Sequence, residues 1–190
     1  MTSARPRRLA LAAVVALAVS ANSCTSQKAE APSTTAPTAM TPLQRGEYLA
    51  NVMGCNDCHT PGGLYGAPDF ERRLSGSELG WQGPWGVSYA SNLTPDPETG
   101  LGTWTNVEIE RALRSGVRKD GSPILPPMPW PNYANLTADD MASLIAYLKS
   151  IPPVKHKVPD RVPPNGVAAT PVVPIPAPGP WDAPRTAPAH

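Results

Sequence analysis

The chain has 190 residues, a formal net charge of +1, 26 prolines and a single Phe. Aromatics make up 6% of it, so a packed core must occupy a limited stretch, supplemented by something large and apolar that the side chains do not supply. Setting aside Arg5, Arg7 and Arg8, which belong to the leader described next, leaves 16 − 3 = 13 basic against 15 acidic residues, a net of −2. That balance gives no footprint for nucleic acid.

Residues 1–23 read as an export signal. Arg5, Arg7 and Arg8 form a positive start, Leu9 to Val19 an apolar run, and Ser20, Ala21 and Ser23 a small-residue end. The run is too short to span a bilayer as a helix, which makes it a cleaved leader rather than an anchor. Cys24 follows directly. An odd cysteine in an exported chain needs a reason, and lipidation of Cys24 as a bacterial lipoprotein is one. Ser20-Ala21-Asn22-Ser23-Cys24 matches a lipobox only in part, and ordinary signal-peptidase cleavage, leaving a soluble periplasmic protein, is the alternative. Residues 24–41, rich in Ser, Thr, Ala and Pro, suit a flexible tether.

The ordered domain is expected over residues 42–152, all-α, with three main helices, each opened by a threonine. Thr41-Pro42-Leu43-Gln44 is a capping-box signature with Pro at the first helical position, predicting a helix to about Met53. Thr105-Asn106-Val107-Glu108 is a second capping box, ahead of Ile109, Ala112, Leu113 and Val117 at helical spacing, with Gly116 favouring the end. Thr137 opens the third helix. Asp139 and Asp140 suit its dipole, Met141, Leu144, Ile145, Leu148 and Ile151 form its apolar stripe, and Pro152-Pro153 stop it. The glycine-rich stretch 62–102 has no periodicity, which is reasonable if it wraps a cofactor. Residues 153–190 read as a Pro-rich, extended and largely unpacked tail.

The chemistry centres on Cys55-Asn56-Asp57-Cys58-His59. C-x-x-C-H is the attachment sequence for c-type haem: the thiols add to the haem vinyls as thioethers and the adjacent imidazole reaches the iron. A structural zinc site wants four Cys/His ligands, a thioredoxin-like pair wants a βαβ setting, and a simple disulfide suits an oxidising compartment. The export leader favours haem, which c-type cytochromes receive after export. The sixth ligand is sought among Met and His. Met128 lies 128 − 59 = 69 residues after His59, in Pro126-Pro127-Met128-Pro129, a stiff loop able to present a soft thioether. A packing role for Met128 would leave His156 as ligand or an open iron.

Gly46-Glu47-Tyr48-Leu49, the C-x-x-C-H with Thr60-Pro61-Gly62-Gly63, Ser91-Asn92-Leu93-Thr94-Pro95-Asp96, Trp104, Met128-Pro129-Trp130 and Leu144 to Val154 resemble class I cytochrome c. In particular, over about residues 42–158 they are similar to one domain of the cytochrome c subunits of membrane-bound alcohol, gluconate and sorbitol dehydrogenases. Those subunits carry three such domains and this chain one. The resemblance implies a class I cytochrome c fold of long loops around one covalent haem c, with the first and third predicted helices crossing where Gly46 meets Tyr147. It implies the Pro68 carbonyl as acceptor for the free N–H of His59, and Tyr89, Asn92, Trp104, Trp130 and Tyr133 as haem-rim candidates; a core aromatic or turn role is the alternative for each.

The function expected is one-electron transfer with no substrate chemistry. The expected partners are redox proteins: a quinoprotein or flavoprotein dehydrogenase or a quinol-oxidising complex as donor, and an acceptor such as a terminal oxidase. Residues 42–152 carry 8 basic and 12 acidic residues, net −4. Arg111, Arg114 and Arg118 recur at near-helical spacing, as a docking face or a solvated stripe. Two other readings stay open: a haem peroxidase with a labile iron site, and a gas sensor or assembly partner using the tail.

Overall fold

The structure is a computed structural model that describes residues 39–177. The leader, Cys24 and most of the linker lie outside the described residues, as does the tail after Ala177. No helix among the described residues is long and apolar enough to cross a membrane.

Helix α1 (Pro42–Val52) begins at a complete capping box: the Thr41 side chain accepts from the Gln44 N–H, and the Gln44 side chain accepts from the Thr41 N–H. Gly54, at φ +71°, turns the chain into the single-turn α2 (Cys55–His59). Two 3₁₀ turns follow at Gly63–Tyr65 and Phe70–Arg72. Helix α3 (Asn106–Ser115) opens on the predicted box at Thr105 and Glu108 and ends at Gly116, φ +65°. A short α4 (Trp130–Tyr133) precedes α5 (Ala138–Ser150), capped by Thr137. The three principal helices lie where hydrophobic period and caps put them.

Helices α1 and α5 pack closely. A methyl group at Gly46 would collide with the Ser143 carbonyl and the Tyr147 side chain, so glycine is what lets the two backbones approach. Arg45 locks the crossing, donating to Asp140 at 2.7 Å. The core gathers Leu49, Leu74, Met141, Leu144 and Leu148, with Cys55 and Trp104 against its edge.

The chain is not all-α. Strands β1 (Gly80–Gly83) and β2 (Gly86–Tyr89) form an antiparallel hairpin around Pro84-Trp85, with Gly86 at φ +96°. Glycine accepts that conformation at no steric cost. A third strand, β3 (Val172–Pro174), pairs parallel with β1, giving the order β2-β1-β3. Of the tail expected to be extended and unpacked, residues 153–177 are extended but hydrogen-bonded to the hairpin, and the rest lies outside the described residues. Residues 153–177 form a strap: Val87 and Val162 exchange backbone hydrogen bonds of 2.8 and 3.0 Å, and Ile175 donates to the Gln82 carbonyl. The hairpin edges carry backbone donors and acceptors that must be satisfied; in the strap Pro171 offers its carbonyl to Gly80 N, and the non-proline residues Val162 and Ile175 supply the N–H donors, which proline lacks.

Candidate functional site

Cys55, Cys58 and His59 share one short helix, so their side chains project from a single turn of backbone. Asn56 anchors that turn. Its carboxamide oxygen accepts from Arg73 (3.1 Å) and Thr60 (3.2 Å), and its NH₂ donates to Asn51 on α1. Arg73 also reaches Glu47 and Asn51, tying the turn back to α1.

His59 is 7% exposed. Its Nδ1–H donates to the Ser91 carbonyl at 2.7 Å, and Nε2 has no hydrogen-bond partner among the described residues. Burial lowers the proton affinity of the ring, with the Ser91 contact opposing it, so the imidazole is neutral at pH 7 with Nε2 as a lone-pair donor. This corrects the Pro68 expectation. Pro68 lies in the turn where Ala67 and Asp69 bond back to Gly62 and Pro61, while the hairpin delivers Ser91 to the ring.

Burial pushes the Cys55 thiol up to about 11 and moves Cys58 in the same direction. Such thiols are protonated and unreactive in exchange, the opposite of what a thioredoxin-like pair requires.

These residues open onto a cavity of about 910 Å³, at the upper end of the roughly 300–1,000 Å³ typical of ligand pockets. Met128 lies on its wall, as do Tyr89, Trp104 and Tyr133. The Tyr133 hydroxyl donates to the Met53 carbonyl at 3.2 Å, and burial raises its pKa to about 12; it stays protonated and fixed.

Other candidates fall elsewhere. Trp130 is absent from the cavity wall, its indole lying over Gly116, where any Cβ would strike it. Asn92 borders the cavity but its polar atoms are spent. Its NH₂ donates to Val154 O (2.7 Å) and Thr99 Oγ1 (3.0 Å), and its oxygen accepts from Thr94 N and Oγ1. It is a knot between loop and strap rather than a cofactor ligand. His156 is removed as an alternative iron ligand: its Nδ1 pairs with Ser75 O at 2.9 Å and its Nε2 with Glu78 at 2.8 Å. The three arginines form no single face. Arg111 donates to the Arg118 and Lys119 carbonyls; Arg114 binds Glu110 and the Ala134 and Leu136 carbonyls; Arg118 lies on the cavity wall.

Sequence reasoning missed Ser91 and the strap. Lys157 to Arg161 complete the cavity wall. The signal for the hairpin was present in Gly83-Pro84-Trp85-Gly86, a turn-type run between short β-branched and aromatic stretches.

The donor set fits haem c. There are two cysteines and a neutral histidine on one turn, an open Nε2, and a largely apolar cavity with a thioether on its wall.

Comparison with known proteins agrees. The chain is 40% identical over 121 residues to the alcohol dehydrogenase (quinone) cytochrome c subunit of Gluconobacter oxydans, covering 62% of this chain and 24% of that one. It is 38% identical over 105 residues to the gluconate 2-dehydrogenase cytochrome c subunit of Pantoea cypripedii, covering 55% and 22%. A diheme c-type cytochrome of Cereibacter sphaeroides matches at 36% over 113 residues, covering 57% and 36%. The chain thus spans about a quarter to a third of the length of these relatives. The family model for cytochrome c matches residues 43–152, the stretch holding α1, the C-x-x-C-H turn, the Met128 loop and α5, and the chain belongs to the cytochrome c family.

Proposed function

We propose that this chain is a mono-haem c-type cytochrome: Cys55 and Cys58 carry the haem, His59 and Met128 are its axial ligands, and the protein relays single electrons. The observation that carries the reading is the division of labour at His59. Its Nδ1–H is committed to Ser91 and its unpartnered Nε2 belongs to a side chain on the wall of a cavity that also carries Met128.

When bound, haem c supplies a one-electron ferric/ferrous couple. The residues do the rest. The Ser91 carbonyl fixes the tautomer and tilt of His59, as an outer-shell acceptor does for a ligating histidine. Met128 offers a soft sulfur from a proline-braced loop, the Met/His ligation that raises potential. Apolar core residues pack beside Cys55, and with His59 and Met128 both holding the iron, the haem would offer no position to a substrate.

The relatives named as dehydrogenase cytochrome c subunits support a dehydrogenase as donor; a quinol-oxidising complex as the other donor and a terminal oxidase or similar acceptor are part of the proposal. The leader-like start supports export to the periplasmic side, and Cys24, outside the described residues, is the proposed lipid anchor.

The test is an intact mass with a pyridine haemochrome spectrum, on protein from cells able to mature c-type cytochromes. One covalent haem per chain with a c-type spectrum is expected; a haem-free chain sinks the proposal. Carbon monoxide then tests the sixth ligand. The ferrous parent stays unliganded and Met128→Ala binds the gas. Binding by the parent would point to an open iron and to the sensor or peroxidase readings.

A further inference from the structure

Two arginines on the cavity wall make no ion pair among the described residues: the exposed Arg161, which donates to the Pro123 carbonyl at 3.3 Å, and the half-buried Arg118. Nη1 of Arg118 makes one hydrogen bond, to Ser91 Oγ at 3.2 Å. A guanidinium carries five donors. No carboxylate among the described residues pairs with that of Arg118. Its neighbours in sequence behave otherwise: Arg111 and Arg114 are turned onto backbone carbonyls and Glu110. A partly desolvated cation with one neutral partner is unfavourable unless an anion joins it.

The backbone holds Arg118 in place. Gly116 ends α3 in the left-handed conformation, Arg118 N donates to Ser122 O at 2.9 Å, and Gly121 N returns to Arg118 O at 3.0 Å. The turn is further pinned by the Val117–Pro123 bridge. The loop that follows carries Met128, and Ser91 gives its carbonyl to His59 and its hydroxyl to Arg118. Asp120 is close by, but its carboxylate is spent on Ser122 (2.6 Å to Oγ). Its carboxyl is held below the usual range by those bonds first, and then by the charges of Arg118 and Arg161. Arg118 and Arg161 both lie close enough to act on Asp120, all three on the cavity wall, whereas Cys55 packs against the apolar core. On a haem the thioether-forming edge and the carboxylate edge are opposite one another.

Resting on the haem reading above, we propose that Arg118 is a cofactor-binding residue whose guanidinium pairs with a propionate carboxylate of the haem. Its planar fork matches a carboxylate two-pronged, which Lys cannot do. The cation also favours the ferrous state, which has one positive charge fewer.

The experiment compares haem-loaded parent, Arg118→Gln, Arg118→Lys and Arg161→Gln by equilibrium redox titration and by the propionate bending modes in resonance Raman spectra. Arg118→Gln should raise the ferric/ferrous ratio at a fixed applied potential by about three- to tenfold, tenfold being about 59 mV for one electron, and shift the propionate modes. Arg118→Lys should hold the ratio within about twofold, because charge is retained, while still shifting the modes. Haem-loaded Arg118→Gln with parental potential and modes overturns the assignment, as does Arg161→Gln producing the effect in its place. A parent without covalent haem overturns the haem reading and this assignment with it.

Discussion

Ser91 shows how much of the site's chemistry is carried by a residue whose side chain gives no clue. Its carbonyl fixes His59, a backbone role no residue type announces, and only the hairpin's geometry reveals it. Cys55, Cys58, His59 and Met128 stand out in the sequence because their chemistry resides in their own side chains, and all four line one cavity. Asn92 has the bonds of the turn role that was the alternative for it, accepting from Thr94 N and Oγ1. Its carboxamide is 2% exposed as a residue and fully bonded, to Thr94, Thr99 and Val154. Asn92→Ala would leave the buried Thr94 N–H without its partner, while the Val154 carbonyl keeps Thr94 Oγ1 at 3.3 Å, and is expected to destabilise the protein by about 1–3 kcal/mol, the cost of one unsatisfied buried group. Urea unfolding of the haem-loaded protein checks this; a loss below about 1 kcal/mol would show that water replaces the carboxamide.

At the scale of elements, α3 and α5 were readable because three signals coincide, a threonine cap, a 3.6-residue apolar period and a stop, whereas α1 was read from its capping box and Pro42. The capping boxes at Thr41 and Thr105 are both closed. Thr105→Ala should cost about 0.5–2 kcal/mol, seen as a lower unfolding midpoint at unchanged haem spectrum. The hairpin escaped notice because its strands are four residues each and rich in glycine, giving too little alternation to register as a period. The α1–α5 crossing depends on Gly46. Gly46→Val places atoms where the Ser143 carbonyl and Tyr147 stand. A loss of more than about 3 kcal/mol is expected, beyond the usual cost of overpacking, since the obstacle is backbone. Thermal melting by circular dichroism measures it, and a melting curve like the parent's would mean that the helices can slide apart without penalty.

Across the whole molecule, charge is organised by local bonding rather than by large patches. Asp69, Asp96, Asp120, Asp140 and Glu108 are each held below their ordinary carboxylate range, the first-named cause being Arg72, Thr99, Ser122 and Arg45 side-chain bonds for the four aspartates and the Thr105 N–H for the glutamate. Depressed native values mean that the unfolded chain binds more protons. This stabilisation is complete above the unfolded carboxylate range, near pH 4, and is lost as pH falls through the native values. Denaturant midpoints measured from pH 6 down to pH 3 should fall steadily below about pH 4.5; a flat profile would show these bonds to be as available in the unfolded chain. The strap's consequence concerns modularity. The family match ends at residue 152, yet the cavity wall continues through Arg161 and the sheet through Pro174. A transplant of this unit into another protein, cut at the family boundary, would carry the haem-attachment turn but leave one side of its chamber behind. The transferable module runs from Thr41 to Ile175.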